Sequence, residues 1–196
     1  MLTKAQVRAI LERTDALQDG HFLLPDGRHT AQAAFPLRVL SLPEYATSLA
    51  ATLGANYRSL RPQVVLVGTA AGALLGLEVA RAIAARVMLA DFANGRWSLG
   101  EGLALKKGER VLLCEDLLTD STDLKGRAAL VEAYGAQVAS CAVLFDRSHA
   151  EWPFRWSLES LLKIDAPLHA AHACPECRAG VPLVALRSDP VAGVAG

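Results

Sequence analysis

The sequence predicts an α/β fold, a parallel twisted sheet flanked by helices, with a small hood. Three observations carry this. First, QVVLVG (63–68), RVLLCED (110–116) and VASCAVLFD (138–146) are short, continuous apolar runs, rich in valine. Such runs read as strands buried on both faces. Second, segments of helical period lie between them, such as GALLGLEVARAIA (72–84). Strands alternating with helices imply βαβ units and hence parallel pairing. Third, hydrophobic residues make up 52% of the 196 residues and charged residues 20%, enough apolar matter to fill a core and exclude a disordered chain.

Along the chain, Val7, Ile10, Leu11 and Leu17 recur at helical spacing over residues 3–17, with Thr3 as a cap and Gly20 just beyond the end. HFLLPDGRHT (21–30) carries the turn signal Pro25-Asp26-Gly27 and reads as strand, turn, strand. Pro43 opens a helix with Tyr45, Leu49 and Leu53 on one face. RVMLA (86–90) is a strand, succeeded by DFANGRWSLGEG (91–102) with Asn94-Gly95 as a hairpin turn. A helix bearing Leu124, Ala128 and Val131 ends at Gly135. A single domain is expected over residues 1–187, its core about 43–150 and its hood from 18–42 and 150–187. Residues 188–196 form a tail with too little to bury, expected to be frayed.

Charge and cysteine usage narrow the function classes. Twenty basic and twenty acidic residues give no net charge and no basic face for nucleic acid. No apolar run approaches the roughly 20 residues of a membrane helix, and the opening MLTKAQVRAILERTD lacks the apolar block of a secretory signal. Four cysteines, two of them in strand-like runs, fit a reducing cytoplasm.

In an open parallel sheet, ligands bind beyond the carboxyl ends of the strands. Two such ends carry candidate chemistry. At the first, Thr69, Ala70, Ala71 and Gly72 lie between a strand and a helix. Small residues there let the backbone approach an anion; the alternative is a tight turn with close helix packing. At the second stand Glu115 and Asp116, then Thr119, Asp120, Ser121, Thr122 and Asp123. Carboxylates suit ribose hydroxyls, and loop amides and hydroxyls suit phosphate oxygens. The alternative is a helix N-cap, for which Ser, Thr and Asp are well fitted.

Taken together, these segments resemble the type I phosphoribosyltransferases, specifically compact bacterial and archaeal orotate phosphoribosyltransferases. The resemblance covers nearly the whole chain. HFLLPDGRHT is similar to the segment that helps hold the pyrimidine, which implies a base-binding role for Phe22, Gly27 and Arg28. VLVGTAAGALLGLEVAR (65–81) resembles the pyrophosphate-loop segment, and LLCEDLLTDSTDL (112–124) the phosphoribosyl diphosphate motif. ALVEAYGAQV, VLFDRS and CPECRAGVPL resemble the family's later segments, in the same order. The resemblance implies magnesium-dependent transfer of ribose from phosphoribosyl diphosphate to a pyrimidine nitrogen, in a homodimer whose mobile loop closes over the partner's site. Glu115 and Asp116 would hold the ribose hydroxyls, and Thr119 with the backbone of 119–123 the 5′-phosphate. The backbone of 69–72 would face diphosphate, and Arg96 in the mobile hairpin would meet it.

The loop departs from the family's pattern, Thr-Thr-Gly then a small residue and Ser or Thr. The glycine is Ser121, and acids stand at Asp120 and Asp123. Two unit charges about 6 Å apart cost roughly 3 kcal/mol at an effective dielectric of 20, so these acids disfavour phosphate unless they point away. After RVMLA the family tends to carry an acidic residue and then an arginine, and here Asp91 is followed by Phe92; Gly100 and Glu101 stand farther along the hairpin, where arginines are common. Phe92 and Trp97 suggest an apolar packing role for the hairpin. Two functions are compatible with these residues: a phosphoribosyl-transferring enzyme, or a non-catalytic paralogue that binds a nucleotide or base as a regulatory or partner subunit.

Other candidates are weaker. Cys174 and Cys177, with His169 and His172, offer four zinc donors within nine residues. Structural zinc sites usually draw on two separated pairs, so a disulfide or redox pair and a packed turn with free thiols stand beside zinc. Cys114 and Cys141 read as small core residues. His21 and His29 read as surface or turn residues, and Trp152 and Trp156 as a lid or dimer contact.

Overall fold

The computed structural model describes residues 1–149 and 151–186; the expected tail, 188–196, lies outside them. The chain opens with α1 (Lys4–Arg13), capped as expected by Thr3, whose hydroxyl accepts from the Gln6 amide while the Gln6 side chain accepts from the Thr3 amide. The helix stops at Arg13 instead of reaching Leu17. Asp15 takes a left-handed conformation (φ 53°) and turns the chain into β1 (Leu17–Leu23). β1 and β2 (His29–Ala34) form the expected hairpin. A five-residue helix, α2 (Pro36–Leu40), is too short to show a period in the sequence. α3 (Pro43–Ala55) comes next, with Leu49 and Leu53 fully buried.

The remaining elements are β3 (Val64–Val67), α4 (Ala70–Ile83), β4 (Arg86–Ala93), β5 (Arg96–Leu99), β6 (Arg110–Leu118), α5 (Thr122–Ala133), β7 (Gln137–Asp146), β8 (Leu158–Lys163), α6 (Pro175–Arg178) and β9 (Val184–Ala185). The main sheet has the order β5-β4-β3-β6-β7-β8. All its neighbours are parallel except the β4–β5 hairpin. A smaller sheet, β2-β1-β9, forms the hood.

The expected hood boundary needs correction. Segment 150–187 divides, because β8 pairs with β7 as the edge of the main sheet and only the later part returns to the hood. An edge strand is half-exposed, so LESLLK lacks the apolar run that betrays a central strand.

Strand alternation splits the core in two. Val65, Val67, Leu112, Cys114, Ala142 and Leu144 face α1, α3 and α4. Val64, Leu66, Val111, Leu113, Cys141 and Val143 face α5 and the aromatic cluster of Trp152, Phe154 and Trp156. Each fully buried leucine or valine contributes about 1.5–3 kcal/mol. Glycine brings α4 onto the sheet: a β-carbon at Gly76 would lie 2.3 Å from Val67 Cγ1.

Trp152, Phe154 and Trp156 pack on this second core, with Phe154 and Trp156 stacked at 4.1 Å and the Trp152 indole donating to the Trp156 carbonyl at 2.6 Å. Among the described residues, no helix is long and apolar enough to cross a membrane.

Candidate functional site

The chain winds outward from β3 in both directions, to β4 on one side and β6 on the other. This reversal places a crevice beyond the ends of β3 and β6, where ligands collect in such sheets. Both predicted strand ends, Thr69–Gly72 and Glu115–Asp123, meet there.

One hydrogen bond crosses the crevice. Thr69 Oγ1 donates to Asp116 Oδ1 at 2.5 Å and accepts from the Gly72 amide at 2.8 Å, capping α4. A β-carbon at Gly72 would fall 2.7 Å from that hydroxyl, so glycine is what allows the turn to close. Thr69 and Ala70 are exposed to the crevice, and Ala71 and Gly72 are buried. The Gly72 amide, expected to face an anion, is thus used within the turn itself. Burial holds the Asp116 carboxyl above its ordinary range, and the Thr69 hydroxyl acts against that.

The two adjacent acids do not act as a pair. Strand period turns successive side chains to opposite faces, so Asp116 faces α4 while Glu115 faces α5. There Glu115 forms a buried ion pair with Arg127. Nothing in the sequence marks Arg127, because a lone arginine on a helix normally belongs to a solvated face. Here it is 1% exposed, and its Nε and Nη1 have no hydrogen-bond partner among the described residues. Burial lowers its pKa to about 10, which leaves it charged at neutral pH.

In the phosphate loop, Asp120 Oδ1 accepts from the Thr122 amide at 2.7 Å. Ser121 is the N-cap residue of α5 but makes no side-chain cap bond, so Asp120 serves that end of the helix from one residue earlier. The Thr122 amide and the nearby Lys125 and Arg28 hold the Asp120 carboxyl below its ordinary range. Asp123 is exposed in the first turn.

Two cavities adjoin over this loop and share Leu117, Thr119 and Asp120. The smaller, about 280 Å³, is mainly polar and is also lined by Glu115, Thr122, Asp123 and Arg127. The larger, about 460 Å³, is mainly apolar: Leu24, Pro25, Phe35, Leu168 and Leu186 line it together with Asp26, Arg28 and Arg147. Arg28 is paired with Asp26 at 2.5 Å. Arg147 is 3% exposed, donates to the Gln32 carbonyl, and keeps Nε without a partner among the described residues. Of the predicted base-binding residues only Arg28 lines this cavity. Gly27 provides the left-handed turn position (φ 83°), and Phe22 is buried edge-on against Phe35, centroids 6.3 Å apart.

Arg96 stands on the β4–β5 hairpin, as the sequence suggests. It is exposed in β5 and lines a groove with Phe92, Trp97, Asp123 and Gly126, outside both cavities. The hairpin that carries it is a regular ladder from Ala90↔Leu99 to Ala93↔Arg96. It is held to α5 by Trp97, whose ring fills the space beside Gly68 and Gly126.

The histidines also require correction. His169 and His172 do not gather with the cysteine pair. Instead His21 and His29, expected at the surface, are 2% and 5% exposed and stand beside Cys174 and Cys177. A β-bulge between Asp19 and Phe22 re-aims β1 so that the consecutive His21 and Phe22 are both buried, which simple alternation does not anticipate. All four cysteines are free thiols, and Cys114 and Cys141 lie fully buried in the sheet as expected.

No family model matches the chain. The orotate phosphoribosyltransferase of Thermotoga maritima is 34% identical over 176 residues, 90% of this chain and 94% of that enzyme. The orotate phosphoribosyltransferase of Caldanaerobacter subterraneus is 31% identical over 183 residues, 93% of this chain and 96% of that enzyme. Among solved structures, the orotate phosphoribosyltransferase of Aeropyrum pernix superposes with a TM-score of 0.65 at 20% identity. The match covers 81% of this chain and 93% of that one, a likeness of fold.

Proposed function

The chain belongs to the orotate phosphoribosyltransferase family, and on that premise we propose that it transfers the phosphoribosyl group of phosphoribosyl diphosphate to a ring nitrogen of orotate, releasing diphosphate. The observation that carries this reading is the pair of adjoining cavities, one polar and one apolar, joined at Leu117, Thr119 and Asp120. A sugar phosphate and a flat, acidic base need that combination, with their reacting atoms meeting at the shared wall.

In this reading the base lies in the larger cavity. Its apolar lining takes the ring faces, and Arg28 and Arg147 answer the orotate carboxylate. The 5′-phosphate lies over residues 119–123, with Arg127 beneath as a buried cation whose unpartnered N–H groups favour an anion. Glu115, through Arg127, keeps that cation in place. The transition state is oxocarbenium-like, so positive charge grows on the ribose. The carboxylates of Asp116 and Asp120 favour that charge, and closure of the site excludes water.

Magnesium fits the oxygen-rich end of β6. The Asp116 carboxylate together with substrate phosphate oxygens would hold it, in keeping with a cation that binds through one or two carboxylates and retains other oxygen ligands. Bound there, it would offset the charge of the leaving diphosphate. The reading includes a homodimer acting in the cytoplasm; the four free thiols suit a reducing compartment.

The test is direct. The purified chain is supplied with orotate, phosphoribosyl diphosphate and magnesium, and loss of orotate is monitored by absorbance. Turnover dependent on all three supports the enzyme. No turnover, with no heat on titrating millimolar phosphoribosyl diphosphate in a calorimeter, discards it in favour of a non-catalytic paralogue.

A further inference from the structure

We propose that His21, His29, Cys174 and Cys177 form a structural zinc site that staples the hood. The four donor atoms lie within 4.8 Å of one another. His21 Nε2 and His29 Nδ1 are 2.9 Å apart. Cys174 Sγ is 3.4 Å from His21 Nε2, and Cys177 Sγ is 3.6 Å from His21 Nε2 and 3.3 Å from His29 Nδ1. Zinc binds nitrogen at about 2.0–2.1 Å and sulfur at about 2.3 Å in a tetrahedron, which spaces its ligands about 3.3 Å (nitrogen to nitrogen) and about 3.6 Å (nitrogen to sulfur) apart. These four separations differ from the tetrahedral spacings by only a few tenths of an ångström, and the other two donor pairs lie within 4.8 Å.

The surroundings suit the assignment. His21 Nδ1 lies 2.8 Å from the Val181 carbonyl. Donation there puts the proton on Nδ1 and leaves the Nε2 lone pair aimed into the cluster, an arrangement typical of metal-bound histidine. The donors form two separated pairs, one on the hood hairpin and one at α6, with His21 and Cys174 153 residues apart in sequence. Three of the four residues are buried, which a divalent ion tolerates only if its charge is balanced. Two thiolates balance it: each thiol gives up its proton to solvent as zinc binds, and the histidines bind as neutral rings. The Cys174 thiol now donates to Glu176 at 3.0 Å; on losing its proton it releases that carboxylate, which turns outward.

Four protein donors complete the tetrahedron and leave no position for substrate, so the ion is structural. Its place gives it a task. The turn carrying Asp26 and Arg28 runs between the two histidines, and Leu168 and Leu186 flank the cysteine pair along the chain; all four residues line the larger cavity. The ion would tie both of these walls together.

The experiment uses the reduced full chain, stripped of metal and titrated with zinc against a chromophoric chelator. One tightly bound zinc per chain is expected. Cobalt in its place should give thiolate-to-metal charge transfer and the intense visible bands of a tetrahedral ion. Replacing both His169 and His172 with Ala should leave stoichiometry and spectrum unchanged, whereas Cys177→Ser and His29→Ala should each abolish stoichiometric binding. Cys177 is exposed, so its substitution spares the packing, and wild-type titration needs no variant at all. Failure of the reduced wild-type chain to take up stoichiometric zinc overturns the proposal. So does loss of zinc in the His169/His172 variant, or retention of it in Cys177→Ser.

Discussion

The Trp97 indole lies over the Arg127 guanidinium, 5.0 Å from ring centroid to Cζ, and occupies the space that Gly68 and Gly126 leave open. A β-carbon at Gly126 would fall 2.3 Å from Trp97 Cδ1. Gly126→Ala should therefore displace the β4–β5 hairpin and cost about 1–3 kcal/mol in urea unfolding. Adding Trp97→Ala should bring the combined loss well below the sum of the two, because the collision then disappears.

The ion pair between Glu115 and Arg127 predicts a second asymmetry. Arg127→Met leaves a buried carboxylate without its partner and should cost about 3–5 kcal/mol. The double substitution Glu115→Gln with Arg127→Met should cost much less. Equal losses in the two proteins, measured by denaturant titration, would show that packing rather than charge holds this site.

The acidic loop predicts weakened phosphate binding. Replacing Asp120 with Thr, Ser121 with Gly and Asp123 with Ser removes two negative charges and frees the Thr122 amide that Asp120 occupies. After solvent screening, affinity for phosphoribosyl diphosphate should rise about tenfold or more, each factor of ten being about 1.4 kcal/mol. Calorimetry on parent and variant decides; no gain would remove the electrostatic account.

Asp120 also predicts a pH effect. The Thr122 amide holds its carboxyl below the ordinary value of 3.8. The stabilisation is therefore complete above that value and is lost as pH falls through the lower, folded one. Asp120→Asn cannot show this loss. The difference in thermal midpoint between parent and variant should be larger at neutral pH than in acid strong enough to protonate the carboxyl.

Thr69 joins two elements with one hydroxyl. Thr69→Val keeps the shape but removes the cap of α4 and the donor to Asp116. Stability should fall by about 1 kcal/mol and kcat/KM with it, whereas Thr69→Ser should keep most of both.

Much of this architecture is legible in the residues. Runs such as QVVLVG and RVLLCED are strands because β-branched and apolar side chains without alternation suit burial on both faces. Their ends place Thr69–Gly72 and Glu115–Asp123 on either side of one crevice. Hidden elements are those without a periodic signal: the five-residue α2, the edge strand β8, and the bulge that buries His21. Arg96 has the charge and the hairpin position of a site residue, yet Trp97 beside it determines where the hairpin sits.

The sequence by itself determined the alternation of strand and helix, the family, and the chain segments around the crevice, since these depend on local pattern and order. Only the tertiary structure decided the partnerships: Glu115 with Arg127, Asp116 with Thr69, and His21 and His29 with the distant cysteines. The reason is geometric. Which side chains meet depends on strand order, on which face each residue of a strand presents, and on where a bulge shifts that face, and these are settled only when remote segments pack together.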